Sequence, residues 1–473
     1  MITYSFENRE HTSLYEYLYT QIKNDILNHR LNPGEKLPSK RALAEHLNIS
    51  TITVENAYSQ LMAEGYIYSK PKSGFFVSHI TPYEKFSTPA DDSLFEKPDI
   101  KEKKTYFADF VSNSTAKQSF PFHMWAKLLR KTMSDNMENI LYNSPSVGIW
   151  ELRQEISKYL LQFRGMCVSP DQIVIGAGTE YLYSIIIQLL GRQKYYALED
   201  PGYQKISKIY HANNVACVHI PMNKQGIDIN ALEQTQAEVV HISPSHHFPT
   251  GIVTPIGRRY ELLSWADKSC SRYIIEDDYD SEFRFIGKPI PALQSIDTHE
   301  KVIYINTFSK SLSSTIRIGY MVLPKHLMKK YHEELNFYSC TVSTFEQYTL
   351  ASFLSEGHFE KHINRMRNYY RSQRDLIMNC IKKHPNYHRV KIAEENSGLH
   401  FLLHVNTTLS DEQLRNKAEE NGIHISCLSQ YYQNPQKGPL PHTILINYSG
   451  IQSEKIPQAV EQLFSSLWEY KQQ

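Results

Sequence analysis

No apolar run in this 473-residue chain approaches the ~18 residues needed to cross a membrane. The longest such stretch, Leu182 to Leu190, is broken by Tyr183, Ser184 and Gln188. The first residues, Met1 to His11, have neither the basic start nor the apolar middle of a secretory signal, so the expected location is the cytoplasm. Cysteine is sparse: Cys167, Cys217, Cys270, Cys340, Cys380 and Cys427 stand far apart, with no CxxC. That excludes a disulfide or zinc framework and fits reduced thiols, so no metal is expected. Net charge is nearly absent too, at +1 from 51 Lys and Arg against 50 Asp and Glu. Over the whole chain, that balance counts against a nucleic-acid binder. Repeats at the ~20–50-residue periods of solenoids and propellers are also missing.

What is present suffices for a large core: 41% of residues are hydrophobic and 21% charged. At ~100–200 residues per domain, the length predicts two or three domains. Residues 81–105 read as a linker, with Pro82, Pro89 and Pro98, mixed charges and no periodicity. The expected division is therefore 1–80, the linker, and 106–473. Beyond the linker, apolar runs at Gln172–Ile175, Lys194–Leu198, Cys217–Ile220, Val239–Ile242, Tyr273–Ile275 and Val302–Ile305 alternate with stretches long enough for helices. That alternation predicts an α/β domain around a mostly parallel sheet. From about Glu356 a long basic helix (His358–His384), two strands (Leu399–Val405, Thr443–Ile446) and a last helix (Glu454–Tyr470) predict a smaller α+β subdomain, about 356–473.

Within the first 79 residues, Leu14, Leu18, Ile22 and Ile26 recur at helical spacing. Ser39 can cap a second helix that buries Leu43 and Leu47, and Ser50 a third that buries Val54, Ala57 and Leu61. Thr51, Thr53 and Asn56 are left facing outward near the third helix's start. Two short helices joined by the tight turn at Asn48-Ile49 have helix-turn-helix geometry, in which the second helix reads the major groove. Two alternating segments from Gly65 and Gly74 flank Lys70-Pro71-Lys72-Ser73 and predict a hairpin whose lysines meet phosphates. Basic and acidic side chains balance over these residues, but Lys36, Lys40 and Arg41 border the second helix and Lys70 and Lys72 the hairpin. Pattern alone leaves open a small helical domain with a solvated charged face. The run from Pro33 to Val77, with its LPS-x-R-x-LA start, V-x-x-AY-x-x-L helix and EG-hairpin-GxFV end, resembles the winged helix-turn-helix of the GntR family of bacterial regulators. The resemblance implies a double-stranded DNA operator. Thr51 stands where members usually carry Arg, which leaves base reading to Thr53, Asn56 and Arg41.

Four further segments carry chemistry. Gly176-Ala177-Gly178-Thr179 follows a strand and opens a helix, where backbone N–H groups can hold phosphate. Glu276-Asp277-Asp278-Tyr279-Asp280 ends a strand, where open α/β sheets bind ligands. Thr307-Phe308-Ser309-Lys310, with Arg317 beyond, offers a lysine amine that is nucleophilic if its pKa is depressed. Pro201-Gly202-Tyr203 sets an aromatic ring at another strand's end. Singly, each fits a plain turn, acidic loop or surface lysine; jointly they are the parts of a pyridoxal phosphate site. With GAGTEYL, LEDPGY, SPSHHFPTG, IIEDDYDSEFR, TFSKSL and RIGYMVLP, most of residues 110–470 resembles the class I (fold-type I) aminotransferases. That resemblance implies Lys310 as the aldimine-forming lysine, Asp277 on the pyridine nitrogen, Tyr279 on the phenolate oxygen and Tyr203 stacked on the ring. It implies Gly178, Thr179, Thr307, Ser309 and Arg317 around the phosphate.

Two departures stand out. Phe248 replaces the Asn of the family's Asn-Pro-x-Gly, and Leu445 falls in the stretch where ordinary members hold the substrate carboxylate with an Arg. A GntR-type head joined to an aminotransferase-like domain resembles the MocR subfamily, which implies a pyridoxal-phosphate-dependent, homodimeric transcriptional regulator. Its GABA-responsive members carry arginines where this chain has Lys205 and Gln430, which are therefore the candidate effector residues. Their replacement favours sensing of pyridoxal phosphate or another amino compound, with control of vitamin B6 or amino-acid metabolism. The alternatives are a working aminotransferase with an appended DNA-binding domain, and a DNA-bound scaffold whose cofactor pocket is empty.

Overall fold

A computed structural model describes the chain except for residues 1, 7–11, 81–103, 113–119, 286, 288–289, 397, 435–441 and 469–473. The expected linker thus lies outside the described residues apart from 104 and 105. Two units are distinguished, Met1–Glu102 and Lys103–Gln473.

In the first unit, helices Leu14–Leu27, Lys40–Leu47 and Thr51–Ala63 precede a hairpin of Ile67–Lys70 and Gly74–Val77, paired from Ile67↔Val77 to Lys70↔Gly74. The apolar spacing dictates the core: Leu18, Ile22, Leu43, Val54, Ala57 and Leu61 are buried together with Ile67 and Val77. Ser39 Oγ accepts from the Ala42 N–H (3.2 Å) and Ser50 Oγ from the Thr53 N–H (3.1 Å), so both helices start where their caps are. Asn48 ends the second helix in the left-handed region (φ 53°), which makes the turn between them tight. Tyr58 closes the core, donating to the Pro38 carbonyl and packing edge-on against Phe75.

The second unit is built on an eight-stranded sheet. In spatial order the strands are Ile173–Gly176, Gly319–Val322, Val302–Thr307, Tyr273–Asp277, Val239–Ile242, Tyr196–Asp200, Cys217–Asn223 and Gly226–Ile227. The run from Val302–Thr307 to Cys217–Asn223 is parallel. Apolar clusters lie over both of its faces, which is why these strands are near-continuous apolar runs. Gly319–Val322 is antiparallel to both neighbours. It returns from Thr307 without a crossover helix, the connection that a parallel neighbour would require, and the alternation of strands and long segments did not foretell it.

The smaller subdomain has an antiparallel sheet of Val390–Ala393, His400–Val405, Thr443–Asn447 and Ser426–Cys427, packed with helices His358–Lys383, Asp411–Glu420 and Ile456–Ser466. Its core also takes in residues well before 356. Ala108–Asp109 pairs in parallel with Ile423–His424, and Phe110 is buried in the same cluster. Among the described residues no helix is long and apolar enough to cross a membrane. No cluster of His, Cys, Asp or Glu among them could hold a metal ion, and the six cysteines are free thiols.

Candidate functional site

The C-terminal ends of the parallel strands open into a cavity of about 550 Å³, the size class of small-molecule sites. Gly178, Thr179, Tyr203, Asp277, Tyr279, Thr307, Ser309, Lys310 and Arg317, the whole set expected from sequence, line it. Asp277 is the last residue of its strand. Its Oδ2 accepts a short hydrogen bond from the Tyr183 hydroxyl and lies 3.5 Å from His241 Nε2, while its buried Oδ1 has no hydrogen-bond partner among the described residues. The Tyr210 hydroxyl, 2.7 Å from His241 Nδ1, fixes that ring in turn. Burial and the neighbouring Asp277 push the Tyr183 hydroxyl well above its ordinary pKa, so it remains a donor.

Lys310 follows the strand Val302–Thr307. Burial lowers its amine to about 8, against the opposing pull of Asp280. Tyr279, its pKa raised well above 10 by burial, lies 3.2 Å from His246 Nδ1, which is itself 2.9 Å from Asp280. The helix Thr179–Leu190 opens at Gly178 with φ 86°, and a Cβ there would meet Arg317 Nη2 at 3.0 Å. The glycine thus lets the guanidinium pack against the helix start, beside Thr307 Oγ1 and Ser309 Oγ, which are 2.8 Å apart. Tyr203, 50% exposed, stands at the mouth, edge-on to Phe248. These groups fit pyridoxal phosphate. An unpartnered buried carboxylate oxygen awaits an N–H, a softened lysine amine lines the same cavity, and the glycine-opened helix start offers donors to a phosphate.

Several lining residues were not read from the sequence. Tyr183 sits one helical turn after Thr179 and His241 is on the strand beside Asp277, but both lie inside apolar runs that mask them. Glu199 and His247 also line the cavity, 3.4 Å apart. Burial raises Glu199 to about 8, against a hydrogen bond from the Ser243 N–H, and lowers His247 to about 3, so both are neutral near pH 7.

Of the two expected effector residues, Lys205 lines this cavity and is ion-paired with Glu180, which also lies 3.7 Å from Arg317. Gln430 instead lines a neighbouring cleft. Its Oε1 accepts from the Cys427 N–H (3.0 Å), closing the turn Leu428–Tyr431, and its carbonyl accepts from Gln204. Leu445 is fully buried in the sheet, in register with Leu402 and Ser426, and does not line the cavity.

In the first unit Thr51 and Asn56 are exposed at the start of Thr51–Ala63, while Thr53 is half-buried and hydrogen-bonded to Ser50. Ile52, 68% exposed beside them, was not singled out from sequence because apolar residues on helices usually face inward. Arg41 and Lys36 are exposed, and Lys40 is drawn into an ion pair with Glu55. Lys70 lies over the rings of Tyr68 and Phe76, and Lys72 takes φ 60° at the hairpin tip.

Two families match this arrangement: bacterial regulatory proteins of the gntR family over residues 14–77, and aminotransferase class I and II over residues 111–463. The chain belongs to the MocR-type transcriptional regulators, GntR winged-helix proteins that carry a class I and II aminotransferase domain. Pyridoxal 5′-phosphate is its cofactor and DNA the partner of its winged helix. Among its relatives, the uncharacterized HTH-type transcriptional regulator YdeL of Bacillus subtilis is 39% identical, over 95% of this chain and 96% of YdeL. The probable rhizopine catabolism regulatory protein MocR of Rhizobium meliloti is 27% identical over 96% and 93%. The pyridoxine biosynthesis transcriptional regulator PdxR of Corynebacterium glutamicum is 27% identical over 89% and 90%. In fold, the second unit is similar to kynurenine aminotransferase of Pyrococcus horikoshii, with TM-score 0.67 and 22% identity over 77% of this chain and 91% of that one.

Proposed function

We propose that this chain regulates transcription according to what occupies Lys310, either the cofactor itself or an amino compound brought to it. One observation carries the reading. The whole expected cofactor set converges on one cavity, while the positions that would clamp an amino-acid carboxylate are altered, Leu445 by burial and Gln430 by turning its amide away. When bound, pyridoxal phosphate supplies an aldehyde that captures primary amines and a ring that draws electrons from them. The chain's residues hold and orient it. Lys310 offers an amine that is neutral more often than a surface lysine's. Asp277 uses Oδ1 to accept from the ring nitrogen, its other oxygen being fixed by Tyr183 and flanked by His241. Tyr279 donates toward the phenolate oxygen, Tyr203 covers the ring, and Gly178, Thr179, Thr307, Ser309 and Arg317 hold the phosphate. Lys205 stands at the entrance.

On the DNA side, Arg41, Thr51, Ile52, Thr53 and Asn56 meet base edges, with Ile52 suited to a thymine methyl. Lys36, Lys40, Lys70 and Lys72 meet phosphates, and Ser39 and Ser50 cap the two helices. The working unit is a cytoplasmic homodimer whose paired heads suit paired half-sites. Leu141 at 78% exposure and Phe337 at 76%, with Phe122 and Met137, supply apolar surface for that association. The effector acts by binding one arrangement of the dimer more tightly than another. The likeness to PdxR, a regulator of pyridoxine biosynthesis, supports control of vitamin B6 metabolism, and the aminotransferase architecture supports control of amino-acid metabolism.

The complete set of Lys310, Asp277 and Tyr279 favours a second reading, a working aminotransferase with an appended DNA-binding domain. Borohydride fixation followed by peptide mapping, beside an assay with amino and keto acids, separates the readings. Label on Lys310 without sustained turnover is the expected outcome. Sustained turnover supports the enzyme, and no label with no visible absorbance supports an empty scaffold.

A further inference from the structure

His246 is a buried ring that lies behind the cofactor cavity and does not line it. Its Nδ1 is 2.9 and 3.2 Å from the two carboxylate oxygens of Asp280 and 3.2 Å from the Tyr279 hydroxyl. Its Nε2 is buried with no hydrogen-bond partner among the described residues. An ionised carboxylate only accepts, so Nδ1 carries the ring's proton. A proton on Nε2 instead would bury an orphan donor and set the Nδ1 lone pair against the Asp280 oxygens. The smaller subdomain holds the ring in this pose. His400 packs on it with centroids 4.6 Å apart, and Gly398, at φ 72°, crosses its edge so closely that a Cβ would fall 1.8 Å from Cε1. His247, His400, Glu394, Arg164 and Arg284 also surround the ring, and none supplies Nε2 with an acceptor. Around the Tyr279 hydroxyl stand Asp280, Asp277, Glu199 and Asp278, with Lys310 on the same cavity wall.

That tautomer dictates what Tyr279 can do. An Nδ1 that bears a proton has no lone pair for the Tyr279 hydroxyl, which therefore accepts there and spends its own proton elsewhere. Tyr279 lines the cavity, and Phe248 gives the cavity a ring with no donor. We propose that His246, fixed by Asp280, is a positioning residue that turns the Tyr279 proton into the cavity, toward the cofactor's phenolate oxygen. The proposal rests on the placing of Tyr279 at that oxygen. It makes Gly398 and His400 the means by which the smaller subdomain aims the proton.

The test is the pH titration of the visible absorption band of the full-length, cofactor-loaded protein, beside the cofactor affinity of the apo-protein. A donor on the phenolate oxygen favours its charged form, so losing the donor raises the pH at which the band changes. Tyr279→Phe and His246→Phe are each expected to raise that midpoint by about one unit and to weaken cofactor affinity about tenfold. The double variant is expected to go no further than Tyr279→Phe alone. His246→Asn, whose amide can present an N–H where Nδ1 stood, is expected to return the midpoint toward the parent's. Gly398→Ala leaves every side chain in place but displaces the ring, and is expected to raise the midpoint as well. It carries the same comparison if His246→Phe does not fold. An unshifted His246→Phe beside a shifted Tyr279→Phe overturns the proposal and leaves the placing of Tyr279 standing. An equal shift from His246→Phe in the parent and in Tyr279→Phe shows that the ring acts by packing alone, and overturns it too. An unshifted Tyr279→Phe removes the tyrosine from that oxygen, and the proposal falls with its premise.

Discussion

Lys310 and Asp277 share one physical device, a polar group withdrawn from water at the wall of the cofactor cavity. For Lys310 the withdrawal has a measurable sign. Its folded value near 8 lies below the ordinary 10.5, so burial favours the neutral amine. The neutral fraction falls about tenfold per pH unit below that value, and the rate of cofactor capture by the apo-protein is expected to fall with it, levelling off above about pH 8. Stopped-flow absorbance at fixed cofactor concentration reads this directly, and a pH-independent rate would remove the burial argument. The same shift makes the apo-protein's stability fall as pH drops from 10.5 toward 8, because the unfolded lysine binds its proton more readily there. At this scale the sequence was legible where chemistry and position coincide. Lys310, Asp277, Tyr279 and Tyr203 sit at strand ends and announce themselves. Tyr183, His241 and Glu199 do not, because only the fold shows which members of an apolar run border a cavity. Nor could Gln430's inward turn be read, since it depends on a local backbone geometry that no spacing encodes.

Elements place these residues through their ends. Gly178 holds φ 86° where the helix Thr179–Leu190 begins, with Arg317 packed against it. Gly178→Ala imposes about 1–3 kcal/mol of backbone strain at this positive φ and moves the guanidinium, so cofactor affinity is expected to drop about tenfold in an absorbance titration. On the DNA-reading side the matching device is Ser50, which caps the Thr53 N–H. Ser50→Ala is expected to cost about 1 kcal/mol and to speed amide exchange in the first turns of that helix about fivefold. The parallel strands were legible because burial on both faces makes them continuous apolar runs, and the reading helix because its caps and stripe agree. Gly319–Val322 was not, since an antiparallel strand inserted between two others has no crossover to mark it. Ala108–Asp109 escaped for a related reason: two residues pairing with a strand more than three hundred positions away leave no local pattern.

For the whole molecule, charge was the misleading quantity. A net charge of +1 says nothing about DNA when Lys36, Arg41, Lys70 and Lys72 are exposed on a head that is itself neutral overall. Net charge governs long-range attraction and solubility, whereas a groove reads positions. The central claim is that occupancy of Lys310 controls how the protein binds its operator. The most direct test is DNase footprinting of the full-length protein on its own upstream DNA, with and without pyridoxal phosphate and candidate amines, in parallel with Lys310→Ala. The footprint of the parent chain is expected to change in extent or affinity when the cofactor, or an amine on top of it, is added, and the footprint of Lys310→Ala is not. A parent footprint indifferent to the cofactor and to every amine, or a Lys310→Ala footprint that responds equally, would contradict it.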